Sequence, residues 1–328
     1  VRSIKLPSWT ERLLGLDPVP VPPHVFVLAP GALRYGSFHR GAQGGFVFDT
    51  YRTLDLDPET FADGPLGGPL HDPGAFAQEL QRFIAGLPGQ VRQASLVLPD
   101  AWLRLSFLET DELPKRREAQ LDVLRWKLKR LVPFRVDDLR LSAVEVAPLE
   151  GQEEPRRLLV GFGTELFLSQ IEAAFRSAGV RLGAVTNVTL AVLAGLERNL
   201  RGDRLGALVM AGHGGYTVSY ARGGEPVVYR HKSFAEAMPE PIRARSVRRD
   251  LRLTANYVRE HFAGVAVERV FLVAPVELED LWLEWLRDEL DAEPEPLALE
   301  HFPLVRTQVG PTWLETAPLV GAACVEVS

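Results

Sequence analysis

Apolar and polar positions change period along the chain, and the changes mark its elements. Residues 24–28, 32–38 and 46–54 are short runs rich in Val, Phe, Leu and Tyr. They are broken at Ala29-Pro30-Gly31 and at 41–45, which predicts three strands joined by turns. The stretch 58–73 is dense in Gly, Pro and Asp and predicts an irregular loop. From 73 to 85 the period becomes helical, with Phe76, Leu80, Phe83 and Ile84 on one face. A buried strand follows at 93–98. The second half repeats this grammar. An apolar strand at 205–211 leads into the turn Gly212-His213-Gly214-Gly215, and residues 216–221 and 226–231 form a hairpin around Gly223-Gly224. A helix at 246–262 carries Val247, Leu251, Thr254, Ala255, Val258 and Phe262 on one stripe. A strand at 269–274 and a helix at 277–290 close the repeat. Each half therefore reads strand, glycine turn, strand, strand, helix, strand, which predicts an α/β protein built by duplication.

Between the two copies the pattern predicts a small α+β insert at 92–180: strands at 94–98, 102–108, 139–147 and 157–163, and helices at 114–132 and 165–178. The first of these helices has Leu121, Leu124, Leu128 and Leu131 on one face, with Pro114 in its first turn and Pro133 as its stop. The second buries Phe167, Ile171, Ala174 and Phe175. Ahead of everything, Ser8-Trp9-Thr10-Glu11 has the capping-box pattern of a short helix start, and four prolines between Pro18 and Pro23 make an extended connector. The expected division is 1–23 (helix and connector), 24–91 (first half), 92–180 (insert) and 181–328 (second half, with its C-terminal segment returning to the first).

Composition narrows the chemistry. The 328 residues include a single cysteine, Cys324, so neither a disulfide framework nor a multi-cysteine metal site is available. The formal net charge is -6, and the basic run at 243–252 carries no interleaved aromatic platform, so nucleic acid is not an expected partner. No run of about 18 uninterrupted apolar residues occurs, the length a membrane-spanning helix needs.

The order of certain short motifs resembles the type IV pilus assembly protein PilM family, an actin-like group related to the cell-division protein FtsA. The motifs are the strand and glycine turn at 25–36, Leu96-Val97-Leu98-Pro99 and Leu113-Pro114. They continue with Pro133-Phe134, the acidic pair Asp137 and Asp138, Ala178-Gly179, the second strand and turn at 208–215, and the Pro-led stretch at 318–323. The resemblance spans the chain from about residue 24 to the end. It implies a two-lobed actin-like (ribonuclease H-like, duplicated) fold with an inserted subdomain, and it locates the three loops that hold nucleotide in that group. In each loop the chain departs from the pattern. Gly31 is present but Ala29 stands where an aspartate is expected. Gly212, Gly214 and Gly215 are present but Met210 stands at the second aspartate position, with Thr217 the one nearby hydroxyl. The adenosine loop, normally Gly-Gly, reads Ala274-Pro275, and proline has no N–H to donate. Magnesium wants oxygen ligands that these loops no longer offer. The expectation is therefore a non-enzymatic protein with no nucleotide or metal cofactor.

The resemblance also implies a partner. In the family, a short N-terminal cytoplasmic peptide of a PilN-like inner-membrane protein lies in a groove near the insert, and the candidate contacts in this chain are Trp102, Arg104 and Arg125. Self-association in a ring-like assembly, a cytoplasmic location peripheral to the inner membrane, and membrane contact only through partners are the further expectations. Two alternatives stand beside this one: the cytoplasmic part of a GspL-like type II secretion protein, and an actin-like ATP-binding protein or ATPase.

Other features admit plainer readings. The turn 212–215 can hold an anion on its backbone N–H groups or simply support a hairpin, and His213 reads as a turn histidine. Lys115, Arg116, Arg117, Arg125, Lys127, Lys129 and Arg130 suit anionic lipid or an acidic partner, or a solvated helix face. Arg243, Arg245, Arg248, Arg249 and Arg252 admit the same alternatives. Trp282 and Trp285 suit the core or a cover over the nucleotide cleft. Trp9, Leu13, Leu14 and Leu16 offer a short apolar face for docking.

Overall fold

The computed structural model describes residues 23–40, 46–62, 66, 68–132, 135–146, 155–200, 202–235, 238–262, 264–290, 292–307 and 312–324. The expected N-terminal helix and its apolar face, most of the proline connector, the turn at 41–45 and the Pro133-Phe134 pair lie outside the described residues.

Strands β1 (His24–Ala29), β2 (Ala32–Arg40) and β3 (Phe46–Asp55) form an antiparallel meander. Helix α1 (Pro73–Ala85) crosses back so that β4 (Gln93–Leu98) lies parallel to β1. The Asp72 side chain accepts from Ala75 N at 2.9 Å and caps α1, while Phe76, Leu80 and Ile84 turn into the core. The chain then leaves the lobe to build β5 (Arg104–Thr110), α2 (Arg117–Leu128), β6 (Leu139–Val146) and β7 (Arg156–Thr164). These strands make a three-stranded antiparallel sheet in the order β5-β7-β6, with Leu124 and Leu128 of α2 packed against it. Helix α3 (Glu165–Ser177) returns to the first lobe, β8 (Arg181–Asn187) pairs parallel with β4, and α4 (Val188–Gly195) follows.

The second lobe repeats the path. It runs β9 (Leu205–Gly212), β10 (Gly215–Arg222), β11 (Glu225–Ser233), α5 (Glu240–His261), β12 (Val267–Val273), α6 (Val276–Leu290) and β13 (Pro294–Pro296). Then β14 (Leu304–Thr307) pairs with β3 of the first lobe, and α7 (Trp313–Cys324) ends the described chain. The sheet orders are β14-β3-β2-β1-β4-β8 and β11-β10-β9-β12-β13. The second therefore copies β3-β2-β1-β4-β8 strand for strand.

One apolar cluster gathers the inward faces of both sheets around α4 and α7, drawing Val25, Val27 and Val97 from one lobe and Leu208, Met210 and Phe271 from the other. The two helices approach closely. A side chain on Gly321 would collide with the Ala191 carbonyl, and one on Gly195 with the Phe302 ring. A second cluster lies between the second sheet and α5 and α6, and a third between the first sheet and α1 and α3.

Several boundaries differ from the sequence expectation. The strand expected to open the insert, β4, lies in the six-stranded sheet, and the helix expected to close it, α3, packs in the first-lobe core. Helix α2 starts at Arg117, three residues after Pro114, because Pro114 serves as an anchor: its carbonyl accepts from Gln120 Nε2 at 2.7 Å. Its last turn tightens after Leu128, so Leu131 stands exposed instead of continuing the buried face. The strand expected from 102 begins at Arg104, since Trp102 N and Leu103 N both donate to the Pro99 carbonyl in a turn. Helix α5 starts at Glu240, six residues early, with Pro241 in its first turn where no N–H is needed.

Candidate functional site

The β9–β10 turn is shaped by close backbone approach. A side chain on Gly215 would collide with the Lys232 carbonyl on β11, and Phe234 N donates to Gly214 O at 2.9 Å. Gly31 holds the β1–β2 turn at φ 81°, where L residues are strained. His213 is exposed and shares a 2.9 Å hydrogen bond with Glu277 at the start of α6, so it is a turn histidine. Ala29 ends β1, half-buried. Met210 is buried in the interlobe cluster as an apolar core residue. Ala274 and Pro275 form one wall of a pocket of about 190 Å³ whose opposite wall is Thr312, Trp313 and Leu314.

Next to Met210 the sheet turns polar. Thr217, on β10, is fully buried and shares a 2.9 Å hydrogen bond with His231 Nδ1 on β11. Burial, with the nearby Arg104 cation, pushes the His231 pKa down to about 4, so it is neutral at physiological pH. One register step away, Tyr229 donates its hydroxyl proton to Asp100 Oδ1 at 2.8 Å. Asp100 follows β4 in the other lobe. It also receives Thr189 Oγ1 at 2.9 Å and, less closely, Thr189 N at 3.3 Å. Burial raises its pKa to about 6 despite the hydroxyls of Tyr229, Thr189 and Thr217. Asn187 completes the network. Its Nδ2 donates to Tyr229 Oη and to Leu103 O, each at 3.0 Å, and its Oδ1 accepts from Leu190 N at 2.9 Å, capping α4. Residues of both lobes and of the insert are thus joined by one buried set of hydrogen bonds. No single element of the sequence signalled this network, because its members come from four separate stretches, 100–103, 187–190, 217 and 229–231.

Asn187 is also the last residue of β8, and β8 forms one wall of a groove of about 360 Å³. The groove runs between residues 182–186 of β8 and the insert. Leu105, Leu141 and Gly161 line it on the insert side, Leu168 and Leu190 on the lobe side, and Arg117, Arg140 and Glu172 at its rim. Among the described residues β8 is the outermost strand of its sheet and β4 is its one partner strand. Its half-buried edge therefore presents the alternating N–H and C=O groups of an unpaired strand to the groove. Arg140 sets the separation of the walls. From β6 it donates to Glu165 Oε2 at 2.8 Å and Oε1 at 2.6 Å, and to Glu172 Oε1 at 2.5 Å, both on α3. Hydrogen bonds from Arg140 hold the Glu165 carboxyl down at about 2. On the other side of the insert, buried Arg157 stacks on Phe107 at 4.1 Å and donates to Val227 O of the second lobe at 2.5 Å.

Trp102, Arg104 and Arg125 do not come together, and none of them lines the groove. Trp102 packs between Phe61 and Phe167 at ring distances of 4.9 and 5.4 Å. Arg104 faces His231 and Tyr229. Arg125 reaches Asp122 on its own helix at 3.5 Å. Trp282 and Trp285 are core residues on the outer face of the second sheet, Trp282 tilted against Tyr216 at 5.2 Å and Trp285 edge-on to Trp282 at 5.4 Å. In the second basic run, Arg248 and Arg252 bind Glu289 of α6 at 2.9 and 2.8 Å, tying two helices together.

No protein-family model and no curated protein sequence matches the chain. Solved structures do. The PilM–PilN type IV pilus biogenesis complex matches with a TM-score of 0.69 over 94% of this chain and 98% of that chain, at 17% identity. The chain has the actin-like fold. At this identity the likeness is one of fold, and it extends over both lobes and the insert. The cytoplasmic domain of EpsL, an inner-membrane component of the type II secretion system of Vibrio cholerae, matches over 91% of this chain and 93% of its own at 12% identity, with a TM-score of 0.46. A Bacteroides thetaiotaomicron protein with an actin-like ATPase fold covers 89% of this chain and 94% of its own at 6% identity and a TM-score of 0.49.

Proposed function

We propose that this protein is a non-enzymatic scaffold of a type IV pilus or related secretion assembly platform. Its groove takes an extended N-terminal peptide of a PilN-like membrane protein as an added strand on β8. The observation that carries the reading is the edge of β8, which no other strand among the described residues pairs, lying along a groove walled by the insert. Main-chain bonds to β8 would supply affinity, and the leucine-lined floor would take alternate side chains. The interlobe positions support the other half of the reading. Met210 is core, Ala29 offers no carboxylate, and Tyr229 and Asp100 satisfy each other across the lobes.

Calorimetric titration with a peptide copying the N-terminus of a PilN-like protein, and separately with ATP and magnesium, tests both halves. Gly161→Val provides the control. Its Cβ would meet nothing nearer than Leu105 Cδ2 at 3.4 Å, and valine suits a strand, so the fold survives while the groove floor fills. The expected result is peptide binding that Gly161→Val abolishes at unchanged melting temperature, and no heat from ATP. Equal peptide affinity in the variant removes the groove, and magnesium-dependent ATP binding removes the non-enzymatic reading.

A further inference from the structure

Trp126 on α2 is 58% exposed, and Leu131, just past the helix, is 59% exposed. Packing does not explain them. The buried face of α2 is Leu124 and Leu128, and Trp126 lies two residues from each, about 200° round the helix from it. An indole left in water at that cost carries something else. The Arg130 guanidinium stands 4.8 Å from its ring centroid and the Lys127 ammonium 5.9 Å. From Lys115 to Arg130 the sequence has seven cations (Lys115, Arg116, Arg117, Arg125, Lys127, Lys129 and Arg130) against two carboxylates, Glu118 and Asp122. Asp122 is engaged by Arg125. This excess is local, because the whole chain has a net charge of -6.

We propose that the C-terminal end of α2 and the turn after it dock on an anionic lipid bilayer. Three features select a bilayer surface over an acidic protein. Tryptophan prefers the boundary between hydrocarbon and headgroup, where its ring is buried and its N–H stays wet. Leu131, five residues on in the turn after the helix, is a second exposed apolar group at the same end of α2. The cations around them sit on long flexible stems that follow headgroups laterally, and neither Trp126 nor Leu131 lines the groove or the pocket at 274–277, where a protein ligand would find a concave seat. The inference does not rest on the peptide reading, but the two agree in space. Arg117, at the start of the same helix, lines the groove, and Trp126 lies about 14 Å further along at 1.5 Å per residue. A membrane-bound patch would hold the groove mouth within reach of a peptide emerging from that membrane.

The test is co-sedimentation of the full chain with vesicles of phosphatidylcholine, with and without phosphatidylglycerol, at low and physiological salt. Binding is expected only with phosphatidylglycerol, and it should weaken with salt. The double variant Lys127→Gln/Arg130→Gln should lower the partition constant about 25-fold, roughly fivefold per charge removed. Trp126→Ser should lower it separately at unchanged melting temperature, and Trp126 should be protected from aqueous quenchers by the vesicles. The proposal fails if phosphatidylglycerol vesicles leave the protein in the supernatant, or if the variants bind as the parent does. It also fails if Trp126→Ser instead abolishes a concentration-dependent dimer seen by sedimentation velocity, which would assign the patch to self-association.

Discussion

Removing one oxygen at the centre of the interlobe network should cost more stability at alkaline than at acid pH. In Tyr229→Phe the ring stays and two hydrogen bonds go, one donated to Asp100 and one accepted from Asn187. Asn187 Nδ2 keeps its bond to Leu103 O, so the main loss is the donor to a buried carboxylate. A bond to an ionised group is worth about 1.5–3 kcal/mol, and a neutral one about 1 kcal/mol. Burial sets the folded-state pKa of Asp100 at about 6, above the unfolded value near 4. Its ionisation therefore subtracts from stability as pH rises from about 4 through 6. Without the Tyr229 donor the folded-state pKa rises further, so the deficit of the variant is full above that new pKa and small below 5. Near 60 °C the unfolding entropy of 328 residues is roughly 0.7 kcal/mol per kelvin. The variant should thus melt about 4 °C below the parent at pH 8 and about 1–2 °C below it at pH 5. Paired thermal scans of both proteins across this range measure the difference directly, and His231, common to both, cancels. A deficit that is equal at the two pH values, or larger at pH 5, would refute the assignment of Asp100 as the ionising partner.

Two further outcomes follow from the same geometry. Arg104→Met removes a cation beside His231, so the imidazole pKa should rise above about 4 while burial keeps it below the ordinary 6.5; NMR titration of the His231 ring reads this, and an unmoved pKa would separate the two residues. Arg140→Ala cuts the strut between β6 and α3. Glu165 is half-exposed, so solvent screening reduces the loss to about 1 kcal/mol. That loss is present at neutral pH and vanishes as pH falls through about 2, where the parent's Glu165 also protonates. Peptide affinity should drop with it, and an unchanged affinity would show that groove width does not depend on this strut.

Much of the fold was legible before any coordinates, for local reasons. The meanders of both lobes declare themselves through short apolar runs punctuated at Gly31 and Gly215, where only glycine gives the turn or the clearance it needs. Helix α1 announces itself through Asp72, Pro73 and a face of Phe76, Leu80 and Ile84. Helices α4 and α7 gave no such signal. α4 and, from Thr316 on, α7 are buried between the lobes, so these stretches have no polar face and no helical period, and Pro318 inside α7 argues locally against a helix.

The candidate site divides along the same line. Ala29 and Met210, which stand where the actin-like resemblance implies an aspartate, are single positions that the sequence states outright. Which residues touch between elements is a property of pairs separated in the chain: Asp100 with Tyr229 across the lobes, Asn187 with Leu103, Arg140 with Glu165. Trp102, Arg104 and Arg125 look alike as exposed-type residues on the insert, yet one is packed in the first-lobe core, one faces the interlobe network and one stays on its helix. Side-chain direction there depends on strand register and on where a turn ends, both settled by packing of distant segments. Local pattern therefore determined the duplicated halves and the residues that occupy the turns after β1 and β9. Only tertiary packing decided that β8 is the last strand of its sheet among the described residues, because an edge exists only by virtue of the strand that is not beside it.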